Sequence, residues 1–298
     1  MEKRSISLTP EQQARLKRLH LTAQNVIDGV QKGLHQSVSR GVSTTFSQNR
    51  EYVAGDDIKH LDWHIMARSD KNILREYEEE TDFCIYFILD TSASMGYGGA
   101  NPKIHYASEV IAALSFIALQ QKDQFALGVQ NEDSSKILLR PSRGKQHWKE
   151  LCHQLVNLEP KGEVDICNDI GVLQNQIQQR SLVIWVSDFI CSPQECIKSI
   201  KGFTNQSYDL WALRILDHDE INFPFEKLTE FIGLECGQAL KTNPQAIRRS
   251  YLKEFNDHAL ELRNLIRSEG CVFERLTTNI QIVENIFKTL ATNNSRKR

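Results

Sequence analysis

Strands and helices alternate along most of this chain, which predicts an α/β fold: a mainly parallel central sheet flanked by helices, with an N-terminal helical and irregular/β extension. Two observations carry that prediction. The run Phe83-Cys84-Ile85-Tyr86-Phe87-Ile88-Leu89 is apolar at every position, as a strand buried on both faces must be. Each strand-like segment that follows is separated from the next by helical periodicity or a polar turn.

The elements follow in order. Residues 9–35 read as a helix: Thr9-Pro10-Glu11-Gln12 is a cap, and Leu16, Leu19, Ala23 and Ile27 recur at helical spacing. Residues 41–49 are polar, and residues 50–80 are dense in charge and aromatics. Residues 82–90 form a strand, 104–121 a helix, and 125–130 and 136–140 strands. Helices at 148–158 and 166–179 flank a loop at Gly162, before a strand at 182–187. A helix at 193–203, a strand at 210–216 and a short strand at 231–234 come next. A long helix at 246–268, a strand at 272–276 and a helix at 280–291 close the pattern. This divides the chain into an extension, residues 1–80, and an α/β domain, residues 81–298.

Composition removes several classes of function. With 298 residues, 40% hydrophobic and 25% charged, the chain has ample core for such a domain. A formal net charge of -2 argues against a general nucleic-acid or membrane binder. No apolar run approaches membrane-spanning length, and Met1-Glu2-Lys3-Arg4 leads into polar sequence rather than a signal region. The 7 cysteines are scattered, without a CxxC pair or zinc spacing, and read as reduced thiols of a cytoplasmic protein.

The most informative motif is Asp90-Thr91-Ser92-Ala93-Ser94, at the carboxyl end of the first buried strand. One carboxylate and two hydroxyls at alternate positions of a tight loop converge on a small volume, and oxygen-only donors suit a hard divalent cation such as Mg²⁺. The bland alternative is a serine-rich turn that caps the next helix. Ser187-Asp188 ends another strand, and ligands of parallel sheets gather where such strand ends meet. The segment from Arg50 to Arg68 offers a second surface: Asp56, Asp57, Asp62 and Arg68 lie close to Tyr52 and Trp63, groups that often anchor interfaces.

Enzyme readings find little support. Gly96-Tyr97-Gly98-Gly99 precedes a helix, but Asn101 stands where a dinucleotide loop needs its third glycine. A phosphatase with Asp90 as nucleophile wants a second acid at position 92, which is Ser92, and Ser94 lacks the glycine of a nucleophile elbow.

These motifs carry a family resemblance. Arg50-Glu51-Tyr52-Val53-Ala54-Gly55-Asp56-Asp57, Leu61-Asp62-Trp63, Ala67-Arg68, Glu76-Tyr77-Glu78-Glu79-Glu80 and the Asp90 loop together resemble the domain of unknown function 58 family. That family is similar to von Willebrand factor A domains and is commonly encoded beside MoxR-type AAA+ ATPases. The resemblance implies a metal-ion-dependent adhesion site in which Asp90, Ser92 and Ser94 form the first loop and Asp188 the later acid. The pattern also expects a threonine after Gly162, where this chain has Val164, so Asp165 or a water would have to substitute. It implies a non-enzymatic adaptor or co-chaperone of a MoxR-type AAA+ ATPase, binding partners through Mg²⁺, Mn²⁺ or Ca²⁺. The alternative class is a metal-dependent phosphoester hydrolase.

Overall fold

The computed structural model of the protein describes residues 8–37, 49–51, 73–75, 84–99, 101–131, 135–164, 171–178, 181–204, 208–235 and 237–286. The chain packs as two units, Gln31–Phe83 and Met1–Val30 with Cys84–Arg298. In the first, β1 (Asn49–Glu51) and β2 (Ile73–Arg75) pair antiparallel, with Arg50 opposite Leu74. Asp56, Asp57, Asp62 and Arg68 lie outside the described residues, as does Asp165 in the other unit.

The larger unit is built on a six-stranded sheet. Its strands are β3 (Cys84–Asp90), β4 (Gln124–Gln130), β5 (Lys136–Ser142), β6 (Leu182–Ser187), β7 (Asp209–Leu216) and β10 (Val272–Thr277). Their order is β10-β7-β6-β3-β4-β5, parallel throughout except for β5 at one edge. The chain therefore builds one half of the sheet outward from β3, returns, and builds the other half outward from β6. The β3–β6 junction is the switch point of the topology.

Each residue of β3 is buried because both faces of the sheet are covered. Phe87 and Leu89 point into a core with Val110 and Ile111 of α2 (Lys103–Gln121) and Leu151 of α3 (Lys145–Val156). Tyr86 and Ile88 point into the other, with Ile200 of α4 (Pro193–Thr204) and Leu262 of α6 (Pro244–Ser268). Burying a side chain of this size contributes about 1.5–3 kcal/mol, which makes the continuous apolar run the organising segment. The first core also takes Leu19, Ala23 and Val26 of α1 (Pro10–Ser37). That helix opens on a reciprocal cap: Gln12 N donates to Thr9 Oγ1 at 3.2 Å, and Thr9 N donates to Gln12 Oε1 at 2.9 Å.

Three elements differ from the periodicity. The strand expected at 231–234 is instead β8 (Thr229–Ile232), hairpinned to β9 (Ala239–Thr242) with Phe231 opposite Leu240. Leu234 hid the turn, which begins at Gly233, whose N–H donates to Gln238 O at 2.8 Å. A short helix, α5 (His218–Asn222), follows β7 where no helix was expected. Of the helix expected at 166–179, the described part holds one turn, 171–174.

A pH effect arises where α1 meets α2. His105 is partly buried, and burial, then the charges of Arg15 and Arg18, push its pKa down from 6.5 to about 4, against an opposing pull from Glu11. The folded ring stays neutral where the unfolded ring takes a proton, so stability is lost as pH falls from about 6.5 toward 4. After discounting for partial exposure, the loss attributable to His105 should be about 1–2 kcal/mol. Urea melts at pH 7 and pH 4.5 should show His105→Gln losing less stability on acidification than the parent. Equal losses would remove His105 from the account.

Candidate functional site at the carboxyl ends of β3 and β6

Asp90 ends β3, and Ser187-Asp188 leaves β6, its direct parallel neighbour. The sheet thus brings both acids to the switch point. Asp90 is fully buried; its Oδ1 accepts from Ser92 N at 2.8 Å and its Oδ2 from Ser187 Oγ at 2.7 Å. Burial, then the charge of Asp188, pushes its pKa up from 3.8 to about 6, against the downward pull of those hydrogen bonds. The Ser92 and Ser94 hydroxyl oxygens lie 3.0 Å apart on the same loop. Ala93 N donates to Gly162 O at 2.8 Å and Lys161 N to Thr91 O at 2.9 Å, which ties the Gly162 loop against the Asp90 loop.

Asp188 sits differently. Its Oδ2 accepts from Lys103 Nζ at 2.7 Å, its Oδ1 from Ile190 N at 3.3 Å, and its carbonyl from Arg214 Nε at 2.9 Å. Lys103, at 0% exposure, also donates to Glu220 Oε1 at 2.7 Å. Burial by itself would lower the Lys103 pKa, but Asp188 and Glu220 outweigh it and the net shift is upward. The next residue, Phe189, takes a left-handed φ of 50°, and its ring centroid lies 5.0 Å from that of Trp185.

The oxygens fit a hard divalent ion on one side and not on the other. Ser92, Ser94 and the carboxylate of Asp90 present donors of the right kind. Val164, by contrast, packs into the apolar core and Asp188 is held by an ammonium. Among the described residues no three His, Cys, Asp or Glu side chains are grouped as metal ligands.

Three functional neighbours escaped the sequence reading. Ser187 was visible only as a strand end. Lys103 carried a signal: a cation in the first turn of an apolar helix opposes the helix dipole and so needs a partner. Glu220 also carried one, because Asp217-His218-Asp219-Glu220 spells a capping box, in which Glu220 Oε2 accepts from Asp217 N at 2.7 Å. Beside this cluster lies an open groove of about 340 Å³, walled by Tyr97, Phe223, Phe231 and Tyr251.

The chain resembles uncharacterized protein Rv1480 of Mycobacterium tuberculosis at 24% identity, over 97% of this chain and 91% of that protein. Among solved structures it is similar to the conserved hypothetical protein BatB of Bacteroides thetaiotaomicron, at 12% identity and a TM-score of 0.47, over 70% of this chain and 98% of that one. It is also similar to the SpRpn10 VWA domain, at 14% identity and a TM-score of 0.40, over 68% of this chain and 93% of that one. The six-stranded sheet, parallel but for one edge and covered by helices on both faces, is the von Willebrand factor A-like architecture that the family resemblance implied. The family described as protein of unknown function DUF58 matches residues 48–261, and with most of its length so matched this chain belongs to that family.

Proposed function

We propose that this protein is a non-enzymatic interaction module, an adaptor or co-chaperone of a MoxR-type AAA+ ATPase, that recognises its partner at the carboxyl ends of β3 and β6. The observation that carries this reading is the convergence of Asp90, Ser92, Ser94 and Asp188 at the switch point of the sheet. The Ser92 and Ser94 hydroxyls bond to each other, and the Lys103 ammonium is engaged by two carboxylates. In the proposal Ser92, Ser94 and Asp90 hold Mg²⁺ weakly and leave a coordination position for a carboxylate of the partner. Asp165 remains a candidate further ligand, and Asp56, Asp57, Asp62 and Arg68 a second contact surface.

Capture of the purified ATPase should require a divalent cation and should fail with Ser92→Ala. Full capture in chelator, together with normal capture by Ser92→Ala, would end the metal reading. A screen of phosphoester substrates with Mg²⁺ or Mn²⁺ tests the hydrolase alternative: turnover lost in Asp90→Ala would replace the adaptor reading.

Val164 gives a second measurement. Groups that only orient metal ligands are worth about 10–100-fold in affinity, so restoring a direct hydroxyl with Val164→Thr should tighten Mg²⁺ by at least about tenfold in calorimetry. No change, or tight binding by the parent protein, would refute the account of the missing ligand.

A further inference from the structure

The groove beside Ser94 is not explained by the metal-site residues. Its lining is aromatic: Phe223 stacks on Phe231 with ring centroids 5.5 Å apart and meets Tyr251 at 4.5 Å. Its rim is unusually apolar for a surface. Ile190, Ile232 and Leu234 are 55%, 62% and 52% exposed, three large aliphatic side chains around one opening. At about 340 Å³ it has room for one or two large side chains.

The charge at the opening has one sign. Asp219, Glu220 and Glu235 line the groove, and among the described residues no Lys, Arg or His does. Glu220 is offset by Lys103 beneath it, and His218 lies 4.0 Å from Asp219. The other two acids of the lining are Asp219 and Glu235. Tyr97, in the wall, reflects the same field: burial, then Asp219, Asp217 and Glu220, push its pKa up to about 12.

We propose that this groove binds a segment of a partner protein in which a large apolar anchor residue stands beside Lys or Arg. The aromatic lining takes the anchor, the exposed aliphatic rim is covered by the flanking chain, and the basic residue lies against Asp219 and Glu235. The inference rests on this face being an interaction surface but is independent of any metal, because none of the groups that carry it is a proposed ligand.

Selection of phage-displayed random nonapeptides on the full-length protein tests it directly. Parallel selections use Ile232→Asp/Leu234→Asp and Asp219→Lys/Glu235→Lys, whose exposed or half-exposed positions leave the core untouched; unchanged thermal melts would show that the fold is kept. The parent should enrich peptides with a large apolar residue within three positions of Lys or Arg, equally with Mg²⁺ and in chelator. The aspartate variant should lose that enrichment, and the lysine variant should shift it toward Asp and Glu. Absence of enrichment, acidic peptides on the parent, or the same peptides on all three proteins would overturn the proposal. So would concentration-dependent dimerisation of the parent that Ile232→Asp/Leu234→Asp abolishes, since the groove would then belong to a second copy. Failure of metal-dependent ATPase capture alongside a positive selection would refute the metal reading alone.

Discussion

Lys103→Met is expected to destabilise the protein by about 3–5 kcal/mol, the range for removing one partner of a buried ion pair. The ammonium has no exposed surface and contacts two carboxylates at 2.7 Å each. The two partners differ in what they can do when it is lost. The Glu220 side chain is 15% exposed and can turn toward water, whereas the Asp188 side chain, at 2%, cannot. The penalty should therefore fall on Asp188, and Lys103→Met combined with Asp188→Asn should recover more than half of it. If the strand-end cluster accepts a cation as proposed, millimolar Mg²⁺ should also restore part of the loss in the single variant. Chemical denaturation at pH 7.5 measures all of this, and a single variant within about 1 kcal/mol of the parent would mean that the pair is not desolvated.

The opposite sign is expected one strand away. In the absence of divalent cations, Asp90→Asn should stabilise the protein by about 2–3 kcal/mol near pH 7.5. Asparagine keeps the shape, still accepts from Ser92 N and can donate to Ser187 Oγ, while removing a charge that is fully buried beside Asp188. The sign follows from the pKa, raised from 3.8 to about 6 in the fold. Between those values the folded protein holds a proton that the unfolded chain has released, so stability falls as pH rises through the window and stays lower above it. The gap between variant and parent should open between about pH 4 and 6 and be absent below it. On the proposed function, the same substitution should abolish metal-dependent capture of the ATPase, as expected of a residue kept for binding at a cost in stability. A gain that does not change with pH would exclude the buried charge as its origin.

Legibility of the fold and site in the sequence followed range. The strands β3 and β6 could be read because double coverage removes alternation and leaves unbroken apolar runs, and α2 and α3 between them by their helical periodicity. The Asp90-Thr91-Ser92-Ala93-Ser94 loop could be read for the same reason, since it begins where that run ends. The Lys103–Asp188 pair could not: its members are 85 residues apart and meet only because the fold brings the start of α2 to the residue after β6. The β8–β9 hairpin was half visible, its first strand displaced because Leu234 continues the apolar pattern past the turn. The family signature between Arg50 and Arg68 was legible as chemistry, but its residues from Tyr52 to Arg68 lie outside the described structure.

The antiparallel edge strand bears on colloidal behaviour. β5 closes one flank of the sheet with Pro141, which has no amide proton to offer, and with the exposed charges of Lys136 and Arg140. Its register against β4 slips twice, between the Phe125 and Leu127 pairs and again before Gly128. A strand with a missing donor, two cations and an uneven ladder is a poor template for an incoming chain, and native sheets use these devices against edge-to-edge growth. Pro141→Val with Arg140→Thr would repair the template, and such a variant should precipitate at concentrations where the parent protein remains clear.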